Sequence, residues 1–233
     1  MKDNIERQKV VVFSGAGISA ESGLKTFRDS DGLWENHSIH DVATPEAWLR
    51  NPELVLRFYN ERRRQLETVQ PNSAHLAIAA LERAYDVFVI TQNVDNLHER
   101  AGSSTVLHLH GELTKARSTA DEALVYEIGS KAIELGDQCE HGSQLRPHIV
   151  WFGEIVSGLS EAAELISQAD KIIVVGTSLE VEPAASLVHL APAHAEKVVI
   201  ALNLRNRPAG FEYYQERAGE AVPKVCQRWL EFN

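Results

Sequence analysis

Short apolar runs alternate with helical patterns along most of this 233-residue chain, and this alternation limits the possible folds more than any other feature. The runs suited to buried strands are residues 9–14, 86–91, 104–109, 147–152, 171–177 and 196–203. Apolar residues recur at helical spacing in 52–67, 73–84, 94–101, 159–168, 183–190 and 217–232. Strands that alternate with helices predict an α/β fold with a doubly wound, parallel, Rossmann-like sheet.

Two stretches interrupt this alternation and suggest a smaller lobe beside the sheet. Residues 24–70 read as a loop followed by helices, and residues 111–146 contain no convincing strand. Ligands of open α/β sheets bind beyond the carboxyl ends of the strands, so the residues that follow each strand are the candidates for function. The expected division is a Rossmann-like domain of residues 1–28, 71–110 and 147–233 and a small lobe of residues 29–70 and 111–146.

Charge balance and cysteine content narrow the class of protein. Lysine and arginine number 23 against 33 aspartates and glutamates, a net charge of −10, which argues against direct nucleic-acid binding. The two cysteines, Cys139 and Cys226, are far apart and do not suggest a disulfide framework. No window has the roughly 18 apolar residues of a membrane span, and the charged residues 1–10 do not resemble a secretion signal. We expect a cytoplasmic, globular protein without a membrane partner.

A glycine-rich turn follows the first strand. In GAGISA (15–20), which fits G-x-G-x-x-A, Gly15 makes the tight turn, Gly17 lets backbone approach a pyrophosphate, and Ala20 permits close helix packing. A dinucleotide dehydrogenase would then show a strand that ends in an acidic ribose ligand about 20 residues on, but KTFRDSDGLWE (25–35) is not a strand. The turn predicts nucleotide binding without hydride transfer, while a strand-to-helix turn without a ligand is the alternative.

Polar groups also follow later strands. Gly176, Thr177 and Ser178 come after one apolar run and Asn203 after another, which suits either a ligand cleft or helix caps and turns. The strand that ends at residue 91 is followed by a run of amides and acids that begins QNVDN. Together at one sheet edge, these groups indicate a cleft.

His108, His110 and Glu112 alternate, so a strand would place them on one face. One interpretation is a metal site, although nothing else has ligand spacing. Another is that a neutral His110 beside Asn93 serves as general base for a hydroxyl, a role typically worth about 10² to 10⁴ in rate. A buried histidine bonded to backbone is the third, and it suits His108 better than His110.

Several sequence blocks, taken in order, resemble the signature of the sirtuins, the NAD-dependent protein lysine deacylases. The chain is most similar to bacterial members of that family. The resemblance covers nearly the whole chain and rests on GAGISAESG with TFR, TQNVDNLH, LHGEL, RPHIVWFGE, GTSLEVEPA and the late ALN. It implies that the acyl-lysine oxygen attacks C1′ of the NAD ribose and nicotinamide leaves. The products are then free lysine and an acyl-ADP-ribose, and the partners are acylated-lysine proteins or peptides.

The resemblance also implies roles for single residues. Phe27 and Arg28 match a loop that covers NAD, and such a loop would keep bulk water from a cationic ribose. Asn93 matches a residue that orients ribose and water, and His110 matches the general base, so these two are the expected catalytic pair. The expected cofactor-binding residues are Gly15, Ala16, Gly17, Ala20, Phe27, Arg28, Gln92, Asn93, Asp95, Gly176, Thr177, Ser178 and Asn203.

Residues 149–154 resemble the strand and loop that pair with an extended substrate peptide, although a plain core strand would read the same. Tyr59 and Arg62 share a helix face, which by composition alone indicates a solvated, charged surface. Together with DVATPEAW (41–48), however, they resemble the subgroup that removes succinyl and malonyl groups, where tyrosine and arginine grip a distal carboxylate. The expected substrate-binding residues are Ala43, Tyr59, Arg62, Val150, Phe152 and Gly153.

The chain departs from the family in its cysteines. Sirtuins usually carry two cysteine pairs around a structural zinc, but residues 111–146 contain only Cys139, with His141 near it and Ser118 where a thiolate would be expected. A closed zinc site needs four ligands, so no bound zinc is predicted. Helix packing from EALVYEIGSKAIELG (122–136) is expected to hold the lobe instead.

Three other functions stay open at this point. An NAD-linked dehydrogenase is disfavoured because the acidic ribose strand is missing. A non-catalytic protein that holds NAD or acyl-lysine would carry the same binding motifs, and so would an NAD-dependent protein ADP-ribosyltransferase. Nicotinamide release that depends on an acylated peptide would favour the deacylase.

Overall fold

The computed structural model describes residues 7–25, 33–34 and 37–231. The strands are β1 (Lys9–Ser14), β2 (Leu33–Trp34), β3 (His37–Ser38), β4 (Asp86–Thr91), β5 (Val106–His108), β6 (Gly111–Ser118), β7 (Val125–Glu127), β8 (Leu145–Ile149), β9 (Lys171–Val175), β10 (Glu196–Ile200) and β11 (Glu212–Tyr214). The helices are α1 (Gly17–Ala20), α2 (Ile39–Val42), α3 (Pro45–Arg50), α4 (Pro52–Thr68), α5 (Ser73–Ala80), α6 (Leu97–Ala101), α7 (Leu159–Ser167) and α8 (Ala218–Glu231), with 3₁₀ helices at Leu81–Arg83 and Ala184–Leu190. Within these described ranges, no helix is both long and apolar enough to cross a membrane.

The large sheet has the strand order β11-β10-β9-β1-β4-β5, and every neighbouring pair is parallel. The chain begins in the middle at β1, builds outward through β4 and β5, and then continues on the other side through β9, β10 and β11. This reversal makes the gap between β1 and β9 the topological switch point, where open α/β sheets bind ligands. The predicted doubly wound, Rossmann-like sheet is confirmed.

Both faces of this sheet are buried, because alternate residues of β1 pack into opposite layers. Val10 and Val12 belong to a core that includes residues of α5 and α8, whereas Val11 and Phe13 belong to one that includes α7. Each large apolar side chain taken out of water contributes about 1.5–3 kcal/mol. Burial on both faces explains why the central strands read as continuous apolar runs instead of alternating patterns.

The second sheet, β7-β6-β8, is antiparallel and corrects three expectations. Residues 111–146, expected to lack strands, contain β6 and β7, and the segment 122–136, expected to be helical, contains β7. The run 147–152, expected as a parallel strand of the large sheet, instead contributes to β8, which pairs with β6. A short apolar run does not record which sheet it joins, and a strand as short as β7 has too few residues to show a period.

The 17-residue helix α4 ties the small lobe together. The side chain of Asn60 donates to Ile133 O and accepts from Ile133 N, both at 2.9 Å. The fully buried Arg63 donates to Leu113 O at 2.5 Å and to Asn60 Oδ1 at 2.7 Å. Side-chain hydrogen bonds to backbone therefore hold β6 and the segment between β7 and β8 against this helix.

Candidate functional site

The glycine turn after β1 lies at the switch point, against the turn that follows β9. Gly15 N donates to Val175 O (3.0 Å), and Gly17 N donates to Gly176 O (2.8 Å). A Cβ on Gly15 would lie 2.8 Å from Thr177 Cβ, and one on Gly17 would lie 2.8 Å from Gly176 Cα. Neither position has room for a side chain, so the two turns interlock and bare backbone borders the cleft.

The residues after this turn match the expectation only in part. Ala20, expected to allow close helix packing, is exposed, and Ser19 is buried in its place. Because α1 has only four residues, it makes a single turn and does not extend along the sheet. Phe27 and Arg28, expected to cover the cofactor, lie outside the described residues.

Asn93 is held by a buried polar network beside the glycine turn. Its Nδ2 donates to Gly15 O and to Ser19 Oγ, both at 3.2 Å, and Ser19 Oγ donates to Asp95 Oδ2 at 3.0 Å. Asp95 Oδ1 also accepts from Leu97 N (3.1 Å). Burial raises the pKa of Asp95, and these two hydrogen bonds only partly offset the effect. Ser19 has no expected role from the sequence, although a small polar residue inside a glycine turn is the signal that could have pointed to it.

His110 is the candidate general base. Its Nδ1–H donates to Gln92 O at 3.0 Å, so the lone pair of the neutral ring is on Nε2. Burial lowers the pKa of His110, and the hydrogen bond to Gln92 offsets only part of that shift. On the other side, Thr177 Oγ1 donates to Gln92 Oε1 (3.1 Å), which connects the turn after β9 to the turn after β4. The ring is thus oriented and largely neutral near pH 7.

His108 makes different contacts from His110. Its Nδ1 lies 2.9 Å from Asn93 O, and its Nε2 lies 2.7 Å from Glu99 Oε1. For the metal interpretation, the described residues bring together Glu99, His108 and Glu112, whose ligand atoms lie within 4.8 Å of one another. His110 is not a member of that group, so the three residues considered for the metal alternative are not brought together.

The segment expected to bind substrate peptide follows β8 directly. Val150 N donates to His110 O, and Phe152 N donates to Ala43 O, both at 3.0 Å. Gly153 has a φ of 93°, a conformation that favours glycine. The segment therefore connects His110, the candidate general base, to the buried Ala43, which was expected to leave room for an acyl group.

Glu154 holds this segment in place, a role that the sequence reasoning did not assign to it. Its Oε1 accepts from Arg146 Nη1 at 2.6 Å, and its Oε2 accepts from Arg117 Nη2 at 3.1 Å and from Trp151 N at 2.8 Å. Burial alone would raise the pKa of Glu154, but the bond and charge of Arg146 and the other donors lower it overall. A glutamate that ends an otherwise apolar block, WFGE, is the signal that could have found it.

Tyr59 and Arg62 are buried, so they are not part of a solvated surface. Trp151 Nε1 donates to Tyr59 Oη at 3.1 Å, and burial raises the pKa of Tyr59, which keeps its hydroxyl protonated. The Arg62 guanidinium lies 5.9 Å from the centre of the Phe58 ring. Arg64, on the same helix, is exposed. The helix therefore buries two arginines of the RRR run, Arg62 and Arg63, and exposes the third.

The remaining expected cofactor residues lie at the carboxyl edge of the large sheet. Thr177 and Ser178 are partly exposed after β9, and Asn203 is exposed after β10. Gly176 N donates to Ile200 O at 3.1 Å, which places the two strand ends side by side. The structure thus brings these residues to the same edge as the glycine turn and the Asn93 network.

Where a zinc site was in question, Cys139 and Ser118 are in contact. The hydrogen bond from Ser118 lowers the pKa of the Cys139 thiol, and Cys139 N donates to Ser143 O at 2.9 Å. His141 is exposed. The serine expected to replace a thiolate is therefore spatially beside the remaining cysteine.

A Rossmann-like sheet with interlocked glycine turns at its switch point, and with a buried amide network and an oriented, neutral histidine along its carboxyl edge, defines a nucleotide-binding protein. Residues 15–183 match the sequence pattern of the Sir2 family. The chain belongs to the Sir2 family.

Similar proteins extend over nearly the whole chain. A Helicobacter pylori (strain ATCC 700392 / 26695) protein named NAD-dependent protein deacylase is 51% identical over 228 residues, covering 96% of this chain and 98% of that protein. One of the same name from Vibrio parahaemolyticus is 49% identical, covering 99% and 98%. A Sir2 homologue–NAD complex superimposes with a TM-score of 0.86 at 38% identity, covering 97% of this chain and 91% of that one. A Sir2–p53 peptide–NAD⁺ structure gives 0.78 at 31% identity, covering 97% and 95%.

Proposed function

We propose that this protein is an NAD-dependent protein lysine deacylase, which moves an acyl group from a lysine side chain to the ribose of NAD. One observation carries the proposal: the His110 ring donates its Nδ1–H to backbone and keeps its Nε2 lone pair, next to the Asn93 network at the switch point. Relatives that match almost end to end bear this activity in their names.

The switch point suits a dinucleotide. Gly15 and Gly17 present backbone without side chains at this edge, since a Cβ at either position would collide with the neighbouring turn, and a pyrophosphate needs such close backbone approach. Bound there, NAD would supply the ribose carbon that accepts the acyl oxygen as nicotinamide departs. Asn93 and Asp95 would orient the ribose and amide groups, and His110 Nε2 would take a proton from a hydroxyl.

The test is nicotinamide release from NAD, measured with and without an acyl-lysine peptide. We expect release to require the peptide and His110→Ala to lower kcat about 10²- to 10⁴-fold, the range for a lost general base. His194→Ala, at an exposed histidine, is the matched control. NADH formation would instead indicate a dehydrogenase, binding without turnover a non-catalytic reader, and label transfer from NAD to protein an ADP-ribosyltransferase.

The segment 150–153 is proposed to bind the substrate peptide as an added strand. The N–H groups of Val150 and Phe152 bond to His110 O and Ala43 O, and both backbone groups of Trp151 bond to Glu154. An extended peptide would therefore pair with the remaining backbone groups of this segment. Gly153→Ala would strain the left-handed backbone by about 1–2 kcal/mol and should raise the KM for peptide by roughly tenfold. An unchanged peptide KM would exclude this segment as the docking strand.

Succinyl-lysine and malonyl-lysine are proposed as substrates beside acetyl-lysine. Arg62 is 7% exposed, and Tyr59 is fully buried with its hydroxyl protonated, so a cation and a donor lie on the inward face of α4. A hydrogen bond to a charged group is worth about 1.5–3 kcal/mol, enough to favour an acidic acyl group by one to two powers of ten.

Arg62→Met should lower the succinyl-peptide kcat/KM by about 10- to 100-fold and change the acetyl-peptide value little. Arg64→Met removes an exposed arginine two residues further along the same helix and should alter neither rate. If the succinyl rate survives Arg62→Met, the acyl preference has another origin.

We also propose that the lobe of residues 29–70 and 111–146 holds together without zinc. Asn60 and Arg63 bond this lobe through backbone groups, and Ser118 occupies a place beside Cys139 that a second thiolate would need. Elemental analysis of purified protein should find well under one zinc per chain. About one zinc per chain would refute this.

A cytoplasmic location and the lack of a nucleic-acid partner stay predictions.

A further inference from the structure

Two histidines, His108 at the end of β5 and His110 in the turn that follows it, contact two consecutive carbonyl groups of the turn after β4. His110 Nδ1 contacts Gln92 O at 3.0 Å, and His108 Nδ1 contacts Asn93 O at 2.9 Å. The two rings therefore reach neighbouring peptide units from the same stretch of chain. The backbone that carries the Asn93 amide is thus held from one side by two imidazoles.

The outer partners of the two rings differ, and this gives the rings different charges. A carbonyl oxygen only accepts, so His108 Nδ1 must carry a proton, and the Glu99 carboxylate at 2.7 Å requires a second proton on Nε2. His108 is therefore an imidazolium. His110 has only its Nδ1 bonded to backbone, so it can stay neutral as a base.

The charges around His108 favour its cationic form. Burial alone would lower the pKa of His108, but the hydrogen bond and charge of Glu99 raise it above the ordinary value. Burial alone would likewise raise the pKa of Glu99, but His108 lowers it, so the carboxyl stays ionised. The ionisable groups around the ring are Glu99 and His98 from α6, Glu112 and Lys115 from β6, and Asp95 from the loop after β4.

We propose that Glu99 and His108 are a positioning pair, which clamps the Asn93 carbonyl and so aims the Asn93 amide into the NAD cleft. The inference rests on the proposed function. It extends that function by assigning a role to two residues that do not touch the reacting atoms. The Nδ2 atom of Asn93 lies 3.2 Å from both Gly15 O and Ser19 Oγ. A rotation of the Asn93 peptide would therefore break both hydrogen bonds. The clamp therefore sets NAD affinity.

Protonation is tested on the unmodified protein by ¹⁵N NMR of the histidine rings at pH 6.5. His108 should be protonated on both nitrogens in more than half of the molecules and His110 in less than half, in line with their opposite pKa shifts. The His108 signals are assigned by their loss in His108→Gln. A mostly neutral His108 ring would overturn the proposal.

Affinity is tested by calorimetry with NAD on two charge-matched variants. Glu99→Gln should weaken NAD binding by about tenfold, the effect of losing one hydrogen bond to a charged group. Glu112→Gln removes an equal charge nearby, but Glu112 bonds Lys115 (2.7 Å) and not the ring, so the change should stay below about twofold. Equal effects in both variants, or none in either, would refute the clamp.

These results can be separated from those on the proposed function. If the unmodified protein binds NAD but never releases nicotinamide in the presence of acyl peptide, the deacylase proposal fails. The ring protonation and the contrast between Glu99→Gln and Glu112→Gln would still decide whether the pair positions Asn93.

Discussion

Acid should destabilise this protein partly through one buried histidine, His75 at the start of α5. The ring is fully buried, and its edge packs against His98 with the ring centres 4.9 Å apart. Burial lowers the pKa of His75 to about 4. The unfolded chain accepts this proton near pH 6.5, whereas the folded chain accepts it only near pH 4. Folding stability from this residue is therefore complete above pH 6.5 and falls as the pH drops toward 4.

The magnitude follows from the two pKa values. Between pH 7.5 and pH 5, a shift from 6.5 to about 4 removes about 2 kcal/mol of unfolding free energy. His75→Gln abolishes the titration and suits the local structure, because His75 Nδ1 accepts from Asn72 N in a capping box where glutamine is favoured. Relative to the original protein, the variant should thus gain about 2 kcal/mol between pH 7.5 and pH 5.

Urea denaturation followed by tryptophan fluorescence at several pH values measures this difference. His98 is present in both proteins, so its own titration largely cancels in the comparison. His194→Gln, at an exposed site, is the control and should follow the original curve. If the stability curves of His75→Gln and the original protein stay parallel within about 0.5 kcal/mol, burial of His75 does not govern the acid response.

Three further predictions concern the site. Gly176→Ala would place a Cβ against Ile18 N in a left-handed backbone. We expect the free energy of unfolding in urea to fall by at least about 2 kcal/mol and NAD binding to weaken. Unchanged stability would contradict the interlock of the two turns. Glu154→Gln removes the charge that pairs with Arg146, and we expect a loss of about 2–4 kcal/mol and a higher peptide KM, with no change in either as the opposing result. Because the neutral ring of His110 is the active form and burial lowers its pKa, the acid limb of the kcat/KM profile should lie below pH 6.5; a limb above that value would argue against His110 as the base.

The central sheet could be predicted from the sequence because its strands are buried on both faces. The bounds of β1 and β4 agree with the apolar runs 9–14 and 86–91. A strand covered on both sides needs apolar residues at every position, and such a run is visible without any knowledge of its neighbours. The doubly wound order then follows from the alternation with helices.

The antiparallel sheet could not be predicted in the same way. The β6 strand is part polar, and the apolar run 147–152 overlaps only the last three residues of β8. The two strands exchange hydrogen bonds across about 30 residues of chain, so no local pattern shows that they pair. The apolar residues of 122–136 have helical spacing, but the backbone N–H of Ile133 donates to the Asn60 side chain of α4 instead of to a helical neighbour. Tertiary hydrogen bonding overrides the local pattern there.

For the site, the residues at strand ends could be predicted, but not what orients them. His110 and Asn93 stand directly after strands, where function is expected in this class of fold. Ser19 and Glu99 gain their roles from partners on other elements, which sequence spacing does not reveal. The positive charge proposed for His108, in contrast to the neutral ring of His110, would also depend on such a partner.

The carboxylate of Glu154 has a consequence for engineering this enzyme family. It joins Arg117 from one strand and Arg146 from another to the turn that follows them. Grafting only the turn 150–154 into a different scaffold would strip these partners away and leave an unbalanced charge. Designers who wish to transplant this segment should therefore move all three residues as a single unit.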